Sequence, residues 1–250
     1  MGRPESEIAL DEAALLIAAH ADPGLDVSAQ LERLDALATQ VVTANTEGVC
    51  RLVFETLGVR GDDQTYDDPR NSYLNQVLDR RLGIPITLSV LLIEIGRRCG
   101  VALEGVGMPG HFLVRDPRHP DLLIDAFSGG SRLDHTSCAR LLGETEITLA
   151  PGMLDSVGPR AIVSRMLANL NHSFARRRDQ EGLRWVSRLR AAIPGLPPGE
   201  RISLAESLAG LGCHDEAAAL FEELARTPGV SREAALPLQV RARALLARFN

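Results

Sequence analysis

The sequence predicts an α+β protein, because the spacing of its apolar residues changes twice along the chain. Residues 5–58 and 160–250 carry apolar side chains at helical spacing, whereas three short runs between residues 101 and 127 have the composition and length of strands. Between these regions, residues 85–100 form a segment that is apolar on nearly every side, as expected of a fully buried helix. With 250 residues, 45% of them hydrophobic, the chain can bury a sizeable core.

The first 58 residues predict three helices. Pro23-Gly24 interrupts the first apolar repeat, and either Asp26 or Ser28 can cap the second helix. Thr46-Glu47 can open the third helix. The polar, turn-rich residues 59–75 then predict a long loop, and long loops in compact domains are often functional.

The middle of the chain predicts a buried helix followed by an antiparallel sheet. Pro85 stands where proline opens a helix, and Gly100 can end it. Glu94 on this apolar helix needs a partner, which Arg97 or Arg98 at helical spacing can supply. The runs VALEGVG, HFLVRD and DLLIDAF follow, separated by turns so short that neighbouring strands are expected to be antiparallel.

Composition and charge exclude several classes of function. The net charge of −6 argues against nucleic-acid binding, and every one of the 27 basic residues is arginine, so no Schiff-base or P-loop lysine exists. The longest purely apolar run, AALLIAA, is too short to span a membrane, and its flank is not that of a signal peptide. The four cysteines form no CxxC or CxxH pair, so we expect no metal, no cofactor and no disulfide framework. We therefore expect a cytoplasmic protein.

The residues that could carry chemistry are His111 and Asp125, which lie on successive predicted strands after the buried helix. A carboxylate can orient an imidazole so that its other nitrogen takes a proton from a nucleophile, and a helix N-terminus favours a thiolate or an oxyanion. The structural alternative is a satisfied polar pair beneath the loop at 66–75.

The stretch YDDPRNSYLNQVLDRRLGIPITLSVLLIEIGRRCGVALEGVGMPGHFLVRD, followed by LLIDAFSGG, resembles the SirB-one family of transglutaminase-like proteins. The resemblance covers essentially the whole chain. It implies an N-terminal helical subdomain at 1–58, a transglutaminase-like (papain-like cysteine protease) core at 59–150, and a tetratricopeptide-like helical segment at 151–250. A weak repeat at an offset of 35 residues in that last segment is typical of tetratricopeptide helix pairs.

In that superfamily a cysteine at the N-terminus of the central helix acts with a histidine and an aspartate on successive strands. The resemblance places His111 and Asp125 at the last two positions, but the cysteine position falls near Pro85, which has no nucleophile. The nearest hydroxyls belong to Thr87 and Ser89.

None of the four cysteines is an obvious substitute. Cys99 lies at the other end of the helix, roughly 20 Å away at 1.5 Å per residue. Cys50 could approach only if its own helix packs over the site. Cys138 and Cys213 lie in later segments, and a cysteine is a common small core residue.

We therefore predict a non-catalytic module that binds a protein or peptide, or regulates one, through a groove or the tetratricopeptide-like helices, with no nucleic-acid or membrane partner. The alternative is an amide hydrolase or acyl transferase that uses His111 and Asp125 with Thr87 or an activated water.

The loop before the buried helix supplies the candidate groove residues. Asp68, Arg70, Asn71 and Ser72 can line the mouth of a groove with Pro85, and Arg70 can meet a carboxylate of the ligand. Alternatively, Asn71 and Ser72 cap a short helix that begins at Tyr73.

Overall fold

The computed structural model describes residues 4–143, 149–150 and 152–247, and it confirms an α+β fold. Two compact units divide the described chain, one comprising residues 4–169 and the other beginning at residue 170, with the boundary inside one long helix. The division into segments at residues 58 and 150 stays a prediction.

The first unit contains six helices of its own and the first part of a seventh. They are α1 Leu10–Ala21, α2 Val27–Ala38, α3 Thr46–Cys50, α4 Leu74–Arg80, α5 Pro85–Arg98, α6 His135–Gly143 and α7 Pro159–Arg177. Short 3-10 turns cover Glu5–Glu7 and Pro69–Ser72.

The three N-terminal helices are those that the sequence predicts. Asp26 caps α2 by accepting a hydrogen bond of 3.0 Å from the backbone N–H of Ala29, which decides between the two candidate caps. Asn45 caps α3 in the same way. The third helix widens after Cys50 into a π-helical segment, Arg51–Thr56, which no sequence signal indicated.

Seven short strands form two sheets in the described part of this unit. They are β1 Arg60–Gly61, β2 Leu82–Gly83, β3 Glu104–Val106, β4 Leu113–Arg115, β5 Leu123–Asp125, β6 Ser131–Leu133 and β7 Ser156–Val157. Strands β1 and β2 pair in parallel, and the other five form an antiparallel sheet in the order β6-β5-β4-β3-β7. The predicted antiparallel arrangement of β3, β4 and β5 is thus confirmed.

Helix α5 is the centre of the first unit. It contacts helices α1 to α4 and strands β3 and β4, and Leu88, Leu91 and Ile95 are completely buried. This environment explains why the helix is apolar on every side: each face meets another element.

One charged cluster ties α1 and α2 to the end of α5. Glu94 accepts from Arg97 at 2.8 Å and from Arg98 at 3.0 Å, which confirms the predicted ion pair. Arg98 also reaches Asp11 of α1 at 2.6 Å and Asp35 of α2 at 2.7 Å. Asp11 and Glu94 are both 3% exposed, so the two arginines compensate two carboxylates that burial would otherwise disfavour.

The second unit is helical throughout its described part. It contains the end of α7 and helices α8 Gln180–Ala191, α9 Pro198–Gly210, α10 His214–Ala225 and α11 Arg232–Leu246. Phe174 and Trp185 meet edge to face with their ring centroids 5.5 Å apart. A separate apolar cluster joins α9, α10 and α11 around Leu208, Phe221 and Ala242. The two copies of the predicted repeat fall on α8 and α10, and their tetratricopeptide-like relationship stays a prediction.

Candidate functional site

The N-terminus of α5 carries no nucleophile. Pro85 is its first residue, after the capping position of Ile84. Thr87 is completely buried, and its hydroxyl has no hydrogen-bond partner among the described residues. Ser89 is also completely buried and lies 3.4 Å from the carbonyl oxygen of Phe112, to which it donates. Neither hydroxyl is open to a substrate in this arrangement.

His111 lies at the end of a tight turn that leads into β4. Gly110 has a φ of +73°, which a glycine adopts without strain, and the His111 N–H donates to the carbonyl of Met108 at 3.1 Å. Arg165 of α7 donates to the carbonyl oxygens of Met108 and His111, at 2.9 and 2.7 Å. Its guanidinium also lies 5.5 Å from the centroid of the Phe112 ring. Arg165 therefore fixes this turn from outside the sheet.

Asp125 lies at the same end of the sheet but is engaged in its own turn. The register pairs Val114 with Ile124, so Asp125 comes opposite the residue two positions after His111. The Asp125 carboxylate accepts from the N–H groups of Phe127 and Ser128 at 2.9 and 3.2 Å, and from the Ser128 hydroxyl at 2.8 Å. Across the described part of the chain, no hydrogen bond joins the His111 ring to this carboxylate. A working His111–Asp125 pair stays a prediction.

The loop before α5 is organised around Asn71, which is completely buried. Its side-chain amide donates to the Asp62 carboxylate at 3.1 Å and to the carbonyl of Thr65 at 2.8 Å, and its oxygen accepts from Arg80 at 2.9 Å. Asn71 therefore neither lines a groove nor caps a helix at Tyr73, where no side chain makes a capping hydrogen bond. It holds the loop to α4.

Two neighbouring residues of this loop are also placed differently from expectation. Ser72 is 1% exposed, with no hydrogen-bond partner for its hydroxyl within the described chain, so it does not face a groove. Asp68 caps the 3-10 turn that follows it and pairs with Arg70 at 2.6 Å. The Arg70 side chain is 59% exposed and holds Asp68 through Nε and Nη2, so a ligand can meet it at Nη1 or by sharing those bonds.

Hydrogen bonding keeps the two aspartates of this loop ionised. Burial acts to raise the pKa of Asp62, but hydrogen bonds from Thr65 and Asn71 outweigh it, and the pKa lies below its usual range. The Arg70 guanidinium is the main cause of a lowered pKa at Asp68. Both carboxylates therefore hold the loop as charged groups at neutral pH.

An aromatic pair lies between this loop and the turn after β5. Tyr66 and Phe127 meet edge to face with centroids 6.0 Å apart, and Tyr66 remains 43% exposed. Gly61 of β1 permits this contact: a Cβ atom there would lie 2.6 Å from the Phe127 ring. Burial raises the pKa of the Tyr66 hydroxyl, and the nearby charge of Arg165 opposes that rise.

The cysteines are poor substitutes for a thiol at the start of α5. Burial raises the pKa of Cys50 to about 11, so this thiol stays protonated at neutral pH. Cys99 lies just after the last residue of α5, at the far end from Pro85, and its thiol donates to the carbonyl of Ala38. Cys138 is completely buried in an apolar cluster with Leu113 and Leu123.

Two kinds of site are not found in the described residues. No group of three or more His, Cys, Asp or Glu side chains is arranged to hold a metal ion. No helix of the described chain combines the length and apolarity needed to cross a bilayer.

A buried central helix followed by an antiparallel sheet, with a histidine and an aspartate at one end of adjacent strands, defines a transglutaminase-like arrangement. A family model described as the transglutaminase-like superfamily matches residues 25–168. The chain therefore belongs to this superfamily. No solved structure matches it significantly.

Its relatives include bacterial and animal proteins. A protein of Xylella fastidiosa named UPF0162 protein is 36% identical over 214 residues, which are 79% of this chain and 76% of that protein. A UPF0162 protein of Vibrio cholerae is 35% identical over 138 residues, 53% of this chain and 51% of the relative. Mouse F-box only protein 21 is 34% identical over 128 residues, which are 48% of this chain and 20% of that protein. The narrower resemblance to the SirB-one family stays a prediction.

The sequence did not single out Arg165, Tyr66 or Asp62. Tyr66 stands in the long loop that composition marked as a candidate for function. Arg165 binds backbone carbonyls distant in sequence, which no local pattern reports. Asp62 bonds to Thr65 three residues later, but its contacts to Asn71 and Arg80 connect the loop to α4.

Proposed function

We propose that this protein is a non-catalytic, cytoplasmic transglutaminase-like module that binds a peptide segment of another protein. The observation that carries the proposal is the proline at the first position of α5, where the superfamily's cysteine is expected. A transglutaminase-like reaction proceeds through a thiolate, and proline offers neither a nucleophile nor an N–H group for an oxyanion.

The surroundings of Pro85 support the same conclusion. Thr87 is sealed in the core, and the protonated thiol of Cys50 cannot replace the missing group at neutral pH. The hydrogen bonds of Asp125 hold the turn after β5 and not the His111 ring. The polar residues around the start of α5 can therefore hold a ligand by hydrogen bonds, but they supply no nucleophile that could react with it.

The shared region also behaves as a transferable unit. It accounts for 20% of the mouse relative, and a segment that recurs inside a much longer chain is expected of a module that serves different hosts. Proteins that share this fold can differ in function, because the function depends on the side chains at each protein's own site.

Two surfaces of the chain can receive a peptide, one in each unit. The first is formed by Tyr66, Phe127 and the His111 turn. The second is a groove of about 390 Å³ between α9, α10 and α11 in the helical unit. Its apolar lining includes Ile202, Leu224 and Leu238. Of the two, we favour the His111 surface, because it combines aromatic rings with hydrogen-bonding groups that have no partner among the described residues.

The test selects peptides from a random displayed library on the full-length chain and measures the affinity of selected peptides by calorimetry. The proposal expects micromolar binding that is weakened at least tenfold by His111→Ala and is unchanged by Ala234→Arg. Ala234 is exposed at the rim of the α9–α11 groove, and arginine there would obstruct that groove without a change in the helix.

The same preparations are incubated with casein, a chromogenic amide and an amine donor. Turnover that disappears in His111→Ala would overturn the proposal in favour of an amide hydrolase or acyl transferase. Binding that survives His111→Ala but is lost in Ala234→Arg would move the site to the helical unit. A selection that yields no peptide would count against a peptide-binding function altogether.

A further inference from the structure

Arg165 is a partly buried cation that forms no ion pair with an acidic side chain of the described residues. Its charge acts to lower the pKa of the nearby Tyr66 hydroxyl. Two other arginines with enclosed side chains are paired: Arg98, 9% exposed, meets Asp11, and Arg190, 16% exposed, meets Glu200. Burial accordingly lowers the pKa of Arg165, the opposite of the direction for Arg98.

Only one side of the Arg165 guanidinium is hydrogen-bonded to described residues. Nη2 makes both hydrogen bonds to the His111 turn. Nε and Nη1 make no hydrogen bond to a described residue, and neither is one of the buried side-chain atoms that lack a partner. Beside Nη1 stands Gly107, where a Cβ atom would lie 3.4 Å away, so the absence of a side chain leaves room at this nitrogen. The side of the fork with Nε and Nη1 is therefore the side at which a ligand would bind.

Two further hydrogen-bonding groups belong to residues around this cation. The His111 ring belongs to the residue whose carbonyl Arg165 holds, is partly exposed, and makes no hydrogen bond to a described residue. The Tyr66 hydroxyl is close enough for the charge of Arg165 to influence its pKa. Both groups can donate to an anion, and the Phe112 ring closes one side of the guanidinium.

We propose that Arg165, with Tyr66 and His111, binds a carboxylate of the ligand peptide. This inference rests on the proposed function and names what that site recognises. A carboxylate matches the fork of a guanidinium, and one negative charge balances the one cation of the cluster. A phosphate dianion would leave an uncompensated charge in a partly buried position.

The carboxylate can come from an acidic side chain or from a peptide C-terminus. Three probes of similar size separate these sources: N-acetylalanine, N-acetylglutamate α-amide with its γ-carboxylate, and N-acetylalaninamide, which has no carboxylate. Each is titrated into the full-length protein while the arginine Nε–H resonances are followed by ¹H–¹⁵N NMR. The Arg165 signal is assigned from the spectrum of Arg165→Lys.

The Arg165 resonance should move with a carboxylate probe and stay in place with N-acetylalaninamide. The stronger of the two carboxylate probes identifies the source. Arg165→Lys keeps a positive charge that can still donate to the His111 turn, but it loses the two-pronged guanidinium. Probe binding, followed through the other resonances that shift in the wild-type titration, should therefore weaken about tenfold, the equivalent of one charge-assisted hydrogen bond. Tyr66→Phe should weaken binding by a smaller factor. Arg33→Lys, at the surface pair with Asp79, is the matched control and should change nothing.

Equal shifts with all three probes, or unchanged binding in Arg165→Lys, would overturn the inference. If the lysine variant does not fold, the wild-type titration and Tyr66→Phe decide the matter alone. The two proposals fail in different ways. Selected peptides that bind equally well after amidation and Glu→Gln replacement would refute the carboxylate site and leave peptide binding intact. Carboxylate binding at Arg165 in a protein that selects no peptide would refute peptide binding alone.

Discussion

Replacement of Asn71 by alanine should loosen the whole loop that precedes α5. The side chain is completely buried and makes three hydrogen bonds of 3.1 Å or shorter, two of them to charged groups, the Asp62 carboxylate and the Arg80 guanidinium. Its third bond goes to the carbonyl of Thr65. Alanine removes all three at once and leaves these partners in an enclosed space.

The expected magnitude follows from those contacts. A hydrogen bond to a charged group contributes about 1.5–3 kcal/mol and a neutral one about 1 kcal/mol, so the three together set an upper limit of about 7 kcal/mol. Asp62 keeps two hydrogen bonds from Thr65, and Arg80 still reaches Asp62 at 3.4 Å. We therefore expect a loss of about 3 kcal/mol in the free energy of unfolding.

Urea unfolding followed by circular dichroism measures this loss, and hydrogen exchange of peptides from residues 59–80 locates it. The matched control is Arg70→Ala in the same 3-10 turn, whose side chain is 59% exposed and whose removal should cost far less. Equal effects of the two substitutions, or unchanged exchange in this segment of Asn71→Ala, would refute the idea that Asn71 organises the loop.

Three further predictions follow from single contacts. Cys50, with a pKa of about 11, should react with iodoacetamide at pH 8 about 100-fold more slowly than an ordinary thiol. Mass spectrometry of the labelled peptide measures the rate, and a rate near that of free cysteine would contradict the burial of Cys50. The pKa of Asp116 is held below its usual range, chiefly by the Arg118 guanidinium, so its contribution to stability is present at neutral pH and is lost as the pH falls below about 4. Asp116→Asn should therefore lower the unfolding free energy by about 2 kcal/mol at pH 7 and by about 1 kcal/mol less at pH 3, in urea titrations at both values. Gly61→Ala should destabilise the protein by about 1–3 kcal/mol, because the new Cβ would lie 2.6 Å from the Phe127 ring. The measurement is the melting temperature, which should fall; an unchanged melting temperature would mean that the ring moves without cost.

The parts of the fold that the sequence predicted are those whose signals are local. Helix α5 carries its own start at Pro85, its own basic C-terminal turn and an unbroken apolar surface, all within one segment. The ion pairs of Glu94 were predictable for the same reason, since helical spacing brings Arg97 and Arg98 to it. Asp11, 87 residues before Arg98, joins that cluster only through the packing of α1 and left no trace in the local pattern.

The candidate site was predicted less completely because its contacts connect distant segments. Asn71 was interpreted through capping rules, which extend over three residues, whereas its charged partners Asp62 and Arg80 each lie nine residues away. Arg165 binds backbone carbonyls 57 and 54 residues earlier in the chain. Since every residue carries a carbonyl, no choice of side chain at those positions could indicate the contact.

The charged cluster at the end of α5 limits how far this protein can be shortened from its N-terminal side. The family match begins at residue 25, so a fragment designed on that boundary would omit α1 and with it Asp11. Arg98, 9% exposed, would then lose its 2.6 Å partner, and apolar surface of α5 that α1 covers would meet water. Any version prepared for screening, crystallisation or fusion should therefore begin before α1, because the first helix completes the interior of the segment that the family model matches.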